Sequence, residues 1–196
     1  EKETEALLHQ NLMYLSTISG DRITGELELI LEEERPENIL QGASDRGVLS
    51  SIHPSLRWSD DLSVRFERAR GYANIKIGGM PLYFSLLAYD GTEKENGELM
   101  AFFKFSRPLA QAMRDTIHLK ANLINLVQDN MPRSQIYYLL QSYSLVALVA
   151  VDISANISIV HKYIQLFLTE LRHVRGALKG EELLRLGIKS GPAMRE

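Results

Sequence analysis

Residues 18–34 read Ile-Ser-Gly-Asp-Arg-Ile-Thr-Gly-Glu-Leu-Glu-Leu-Ile-Leu-Glu-Glu-Glu and predict a helix start followed by an amphipathic helix. Ser19 or Asp21 can act as the N-cap, because either side chain can accept hydrogen bonds from the backbone N–H groups that the first turn leaves unpaired. Arg22 and Glu26 are four residues apart and can pair on the helix surface. The apolar residues recur at helical spacing and form one stripe: Ile23, Leu27, Ile30 and Leu31. This stretch therefore predicts a capped helix with one face packed on a core.

Helical spacing of apolar residues continues through most of the chain. Proline and glycine divide the pattern into short helices, since proline opens a helix well and glycine ends one. The expected helices cover residues 3–17, 36–42, 62–72, 81–90, 93–105, 109–128, 135–141, 143–151, 154–174 and 181–186. Only residues 74–77 and 146–151 can be read as strands, and neither segment has a partner with an alternating pattern. The sequence predicts an all-α fold, an elongated multi-helix array with no significant sheet.

The composition is that of an ordinary globular protein. The chain has 196 residues, of which 45% are hydrophobic and 24% are charged, and it contains no cysteine. The lack of cysteine excludes disulfides and thiolate metal sites. The longest unbroken apolar run, residues 145–151, is far shorter than the roughly 20 residues that a membrane span needs. No stretch reads as a signal peptide, so we expect a cytoplasmic protein that does not bind a membrane.

Charge is spread unevenly along the chain. The net charge is −3, but residues 1–60 hold 5 basic and 12 acidic side chains, whereas residues 161–196 hold 7 and 4. The chain as a whole is therefore not basic enough to indicate nucleic-acid binding. Only a local basic face, from the middle or C-terminal part, remains possible.

The sequence contains no self-sufficient active site. None of the five histidines stands in a metal-ligand spacing, so we predict neither a metal site nor catalytic residues. Asp60 and Asp61 are adjacent and could hold Mg²⁺, but they more simply cap the following helix. No nucleophile elbow, phosphate loop or dinucleotide fingerprint is present.

Two segments resemble one known family. The string Ser19-Gly-Asp-Arg-Ile-Thr-Gly-Glu-Leu-Glu-Leu-Ile-Leu resembles the helical neck of bacterial tRNA nucleotidyltransferases and poly(A) polymerases. Near the other end, the chain reads Tyr163-Ile-x-x-Phe-Leu-x-x-Leu-Arg-His-Val-Arg-x-x-Leu-Lys-Gly-Glu-Glu-Leu-Leu-x-Leu-Gly-Ile-x-x-Gly-Pro192, which is similar to that family's tail. The two segments occur in the family's order.

The resemblance implies three parts: a neck-like segment at 1–50, a helical body at 51–155 and a tail-like segment at 156–196. The family's catalytic head is absent from the sequence, because there is no Asp-x-Asp metal pair, Arg-Arg-Asp or Glu-Asp-x-x-Arg helix. We therefore expect a C-terminal fragment of a larger enzyme that adds nucleotides to an RNA 3′ end. Mg²⁺ and ATP or CTP would be cofactors and substrates of the missing head only, and this chain would have none.

The resemblance also implies that this part holds RNA, chiefly tRNA, through shape and phosphates. The candidate contacts lie in the basic C-terminal part: Lys162, Arg172, His173, Arg175, Lys179 and Arg185. A second candidate basic patch consists of Arg65, Arg68 and Arg70. The polar residues of the neck motif, Ser19, Asp21, Arg22 and Glu26, are expected to be structural.

Other functional classes remain open. A helical protein-interaction or dimerisation module without RNA binding is the main alternative, and the acidic first third favours it; homo-oligomerisation is possible in either case. An all-α metal-dependent phosphohydrolase ranks last, because its His-Asp dipeptide is absent. The sequence leaves open whether the parent enzyme adds CCA, C, A or a poly(A) tail.

Overall fold

The computed structural model describes residues 2–72 and 79–174, and every regular element within them is a helix. This confirms the all-α prediction. The α-helices are α1 Lys2–Asn11, α2 Gly20–Glu32, α3 Pro36–Asp45, α4 Val48–Ile52, α5 Asp60–Arg70, α6 Met80–Asp90, α7 Glu93–Phe103, α8 Arg107–Ala121, α9 Arg133–Leu140, α10 Leu145–Ser154 and α11 Ser158–Thr169. Three 3₁₀ segments cover Leu12–Thr17, Leu123–Leu126 and Leu171–His173.

Helix α10 is the centre of the hydrophobic core. It packs against α5, α6, α8 and α11, and its residues 147–151 are fully buried. A helix that is apolar on all sides must be enclosed by other helices, as the sequence predicts for this segment. Residues 146–151, the possible strand, therefore lie in a helix, and the other possible strand at 74–77 lies outside the described residues.

Side-chain caps and prolines begin several of these helices. The Ser59 hydroxyl accepts a hydrogen bond from the backbone N–H of Leu62 at 3.2 Å and starts α5. At α7, Thr92 and Glu95 form a reciprocal capping box. Prolines lie in the first turn of α3, α6 and α8, where their missing N–H has no consequence.

Two predicted helices end early because an asparagine side chain closes them. The amides of Asn11 and Asn122 donate to the carbonyls four residues earlier, of Leu7 at 2.7 Å and His118 at 2.8 Å. Such bonds satisfy carbonyls at a helix end, and a 3₁₀ segment follows each one. The expected continuous helices over 3–17 and 109–128 are therefore wrong in their C-terminal parts.

The expected helix over 154–174 is also divided differently. Ser154 ends α10, α11 runs only from Ser158 to Thr169, and Glu170 leaves the helical region with φ −123° and ψ −62°. The buried side chain of Leu171 then begins a 3₁₀ turn. The predicted short helix at 181–186 lies outside the described residues.

Within residues 2–72 and 79–174, no single helix is long and apolar enough to cross a membrane. Helices α9 and α10 would have the length and apolar composition of a membrane span only if they were joined into one helix. The chain bends by 109° between them.

Candidate nucleic-acid interface

The neck motif anchors α2 on the end of α7. Ser19 occupies the N-cap position as predicted, but its carbonyl oxygen rather than its hydroxyl serves the first turn, accepting from the N–H groups of Arg22 and Ile23. The Asp21 carboxylate lies 3.6 Å from the ammonium of Lys104, which follows α7. Both side chains are exposed, so this pair contributes little to stability.

Gly20 is the closest contact between these two helices. A Cβ built on Gly20 would lie 2.0 Å from the carbonyl oxygen of Phe102 and 3.1 Å from the Cα of Phe103. No side chain fits in that space, so the glycine of the Ser-Gly-Asp-Arg motif is needed for the packing of α2 on α7. The periodicity of the sequence does not reveal this role, because it depends on a residue more than 80 positions away.

Arg22 and Glu26 do not form the ion pair that their spacing predicts. Both side chains are exposed and line the edge of an apolar groove of about 410 Å³. Exposed pairs gain little Coulomb energy in water, so spacing alone does not hold them together. The other lining residues come from the first 3₁₀ segment, Ile18, α2, α3 and α4: Leu15, Ile18, Ile23, Leu27, Ile30, Leu40, Ala43, Val48, Leu49 and Ile52.

The tail candidates are only partly within the described residues. Lys162 is exposed on α11, Arg172 is half-buried, and His173 is exposed in the final 3₁₀ turn. Neither Lys162 nor Arg172 forms an ion pair with any residue in 2–72 or 79–174. Arg175, Lys179 and Arg185 lie outside the described residues. Arg172 lies beyond α11, which ends at Thr169.

The second candidate patch is divided among contacts within the chain. Arg65 is largely buried, bonds to Asp90 at 2.5 Å and lies over the ring of Tyr89. The carboxylate of Glu37 accepts from Arg70 at 2.5 Å, and this hydrogen bond raises the pKa of the guanidinium. These contacts fix α5 to α6 and α3.

Arg68, the third member, is exposed and makes a long hydrogen bond of 3.4 Å to the carbonyl of Ile153 on α10. The three arginines thus reach three different helices, and they do not form one basic surface. Residues 65 and 68 are three apart and lie on one side of the helix, whereas residue 70 lies on another side, so the three do not form one row.

Helix α8 carries two exposed cations that the sequence analysis does not single out. Arg107 and Arg114 are seven residues apart, so they lie on one side of the helix. Neither forms an ion pair with a described residue. Because the sequence predicts a helix over these residues, their spacing of seven could have indicated that the two arginines share a face.

A buried carboxylate lies at the junction of α5, α10 and α11. The Asp152 side chain is fully buried and accepts from the hydroxyl of Tyr72 and from the Gln165 amide at 2.6 Å. The Nδ1 of His161 lies 2.7 Å from the other carboxylate oxygen. Burial, together with this carboxylate, raises the pKa of the Tyr72 hydroxyl above its ordinary value. The cluster is a polar link between helices. In the sequence, the only indication of it is that Asp152 is an acidic residue directly after the apolar run 145–151.

The described residues do not fit a catalytic metal site. They contain no group of three or more His, Asp or Glu side chains arranged to hold an ion. Asp60 and Asp61 lie in the first turn of α5, where acidic side chains are favourable, but the N-cap is Ser59 and not, as the sequence had suggested, either aspartate.

Comparisons with known proteins agree with this arrangement. Residues 1–59 match the family described as "Probable RNA and SrmB-binding site of polymerase A". The whole chain is 25% identical, over 211 aligned residues, to the A-adding tRNA nucleotidyltransferase of Geobacter sulfurreducens and covers 24% of it. It also superposes on the Thermotoga maritima CCA-adding enzyme complexed with tRNA, with a TM-score of 0.78, 20% identity and coverage of 100% of this chain and 50% of that one.

A CCA-adding enzyme solved with ATP gives a TM-score of 0.73 at 21% identity and covers all of this chain and 49% of its own. The chain therefore spans about a quarter of the curated relative that it matches and about half of these solved enzymes. The resemblance to a C-terminal region of the tRNA nucleotidyltransferase family, predicted from the neck and tail segments, is confirmed.

Proposed function

We propose that this chain is the C-terminal RNA-binding region of a tRNA nucleotidyltransferase. In this proposal it positions the 3′ end of an RNA, chiefly tRNA, for a catalytic head domain. The observation that carries the proposal is the full-length superposition on half of a CCA-adding enzyme complexed with tRNA. The match of residues 1–59 to a family whose description includes RNA binding supports it independently.

The proposal also divides the work between the two parts of the enzyme. Mg²⁺ and the incoming ATP or CTP are bound by the head domain in this proposal. The division into neck 1–50, body 51–155 and tail 156–196 is part of the same proposal. In the tail-like segment and on α8, four accessible cations without an ion-pair partner among the described residues are the candidates to contact phosphates: Lys162, Arg172, Arg107 and Arg114.

The direct test is the binding of tRNA by fluorescence anisotropy at several salt concentrations. Each lost phosphate contact should reduce the steepness of log K against log salt by about 0.7–0.9. We expect this reduction for a Lys162→Ala/Arg172→Ala variant. The matched control is Arg57→Ala/Lys94→Ala, which removes the same charge from two highly exposed positions on the body.

The two variants separate a specific contact from a general effect of charge. An unchanged slope for Lys162→Ala/Arg172→Ala would remove these residues from the interface. Equal slopes in both variants would show only that the chain has lost positive charge. Binding of tRNA that does not depend on salt, or no binding at all, would contradict the proposed function.

A protein-interaction module is the second candidate, and one observation favours it. Leu7, Met13 and Tyr14 are exposed to 55%, 71% and 58%, although they belong to the first two helical segments. Exposed apolar groups of this size often mark interfaces. Size-exclusion chromatography with light scattering tests this candidate: a stable dimer that persists at high salt and does not bind tRNA would support it over RNA binding.

A further inference from the structure

A second groove lies between α9 and the 3₁₀ turn that follows α11. Its volume is about 460 Å³, within the range of sites that hold small organic groups. Six residues line it: Arg133, Ser134, Tyr137, Tyr138, Leu171 and Val174. Leu171 and Val174 are three apart, and side chains at that spacing eclipse one another in a 3₁₀ turn, which places both on the groove.

The two tyrosines give this groove an aromatic wall of fixed geometry. The Tyr137 ring is held from behind by buried Phe167, at a centroid distance of 6.0 Å. The rings of Tyr137 and Tyr138 meet edge to face, with centroids 5.9 Å apart and planes at 78°. Tyr138 is 63% exposed, so most of its surface is accessible to a partner.

Basic side chains lie on this groove or next to its lining residues in the chain. Arg133 lies on the groove and pairs with Glu170, so its charge is largely compensated. Arg172 and His173 lie between the lining residues Leu171 and Val174, and Arg172 has no ion-pair partner among the described residues. Proteins that bind single-stranded nucleic acids combine aromatic rings, on which bases stack, with cations, which contact phosphates.

We propose that this groove binds one unpaired nucleobase of the RNA, stacked on Tyr138, with a neighbouring phosphate contacting Arg172. The proposal rests on the proposed function and makes it more specific, because it assigns a single-stranded contact to a chain expected to grip RNA mainly by shape. An apolar peptide is a less suitable occupant, since Arg133 lines the groove and forms an ion pair with Glu170.

The experiment uses the full chain and a short oligouridylate that contains one 2-aminopurine, with a fluorescent label at its end. Anisotropy of the label reports binding, and quenching of 2-aminopurine reports stacking. We expect both signals for the unaltered chain. Loss of one stacking contact should weaken binding about five- to a hundredfold, so Tyr138→Leu should lose the quenching and this affinity, whereas Tyr138→Phe should keep both.

Ile124→Ala is the control for loss of an exposed apolar side chain, because Ile124 is 73% exposed and does not line the groove. Anisotropy without quenching, or equal quenching in Tyr138→Leu, would overturn the stacking proposal and leave the proposed function intact. A chain that binds tRNA but not the oligouridylate would also overturn it. Binding of neither RNA would instead contradict the proposed function itself.

Discussion

Replacement of Gly20 by alanine should destabilise the chain far more than the same substitution five residues later. The new Cβ at Gly20 would lie 2.0 Å from a backbone carbonyl oxygen, that of Phe102, and no side-chain rotation can relieve this overlap. Either α2 or α7 must shift. Overpacking of this kind costs about 1–3 kcal/mol, and we expect the upper end because the obstacle is backbone.

Gly25 is the matched control in the same helix. A Cβ added there meets nothing within 4 Å, and its φ is in the ordinary helical region. Because alanine loses less conformational entropy than glycine on helix formation, Gly25→Ala should stabilise the chain by about 0.5–1 kcal/mol. The two variants should therefore differ by about 4 kcal/mol, the sum of these opposite effects.

Urea unfolding followed by tryptophan fluorescence measures this difference. Trp58 is the only tryptophan and packs edge-on against buried Phe66, so its emission reports the loss of the core. The free energy of unfolding comes from the midpoint and the m-value, and the m-value should be unchanged. A Gly20→Ala chain as stable as the unaltered one, with the same m-value, would refute the close packing of α2 on α7.

Three further substitutions or conditions test the rest of the fold. Asp152→Ala removes the shared acceptor of two half-buried donors, the Tyr72 hydroxyl and the Gln165 amide, and should lower the free energy of unfolding by about 1–3 kcal/mol in the same urea assay; an unchanged free energy of unfolding would contradict its role as a link. Leu148→Ala, at a fully buried site, should cost about 2–5 kcal/mol, whereas Leu29→Ala, at a site exposed to 61%, should be nearly neutral, and equal effects would contradict the placement of the core. Burial lowers the pKa of His53 below its ordinary 6.5. The contribution of the neutral His53 side chain to stability is therefore present above pH 6.5 and is lost as the pH falls through the lower pKa of the folded state. Urea midpoints measured across this pH range should fall for the unaltered chain, and this fall should be absent in His53→Gln.

The sequence was sufficient for the helical class and for the central helix, because both depend on local patterns. Residues 145–151 are apolar on every side, and only an enclosed helix accommodates that pattern in a chain without paired strands. The stripe on α2 is likewise local, and three of its four members are buried.

Features that depend on distant partners could not be predicted in this way. The need for glycine at position 20 comes from the backbone of α7. The positions of the α5 arginine side chains depend on Glu37, Asp90 and the end of α10. Their charge alone made those arginines candidates for RNA contacts, but their guanidinium groups already bind to groups of other helices. The early ends of α1 and α8 depend on asparagine side chains, whose competition with the backbone a hydrophobic pattern does not record.

The central claim is that this chain is built to hold tRNA. The most direct measurement compares its affinity for tRNA with its affinity for a DNA duplex of similar length and charge, by competition at one salt concentration. A protein that recognises A-form shape and unpaired bases should prefer tRNA, because B-form DNA offers neither. We expect unlabelled tRNA to displace labelled tRNA at much lower concentration than the DNA does. Equal displacement by both would mean that the chain responds only to phosphate charge, and this result would contradict the account.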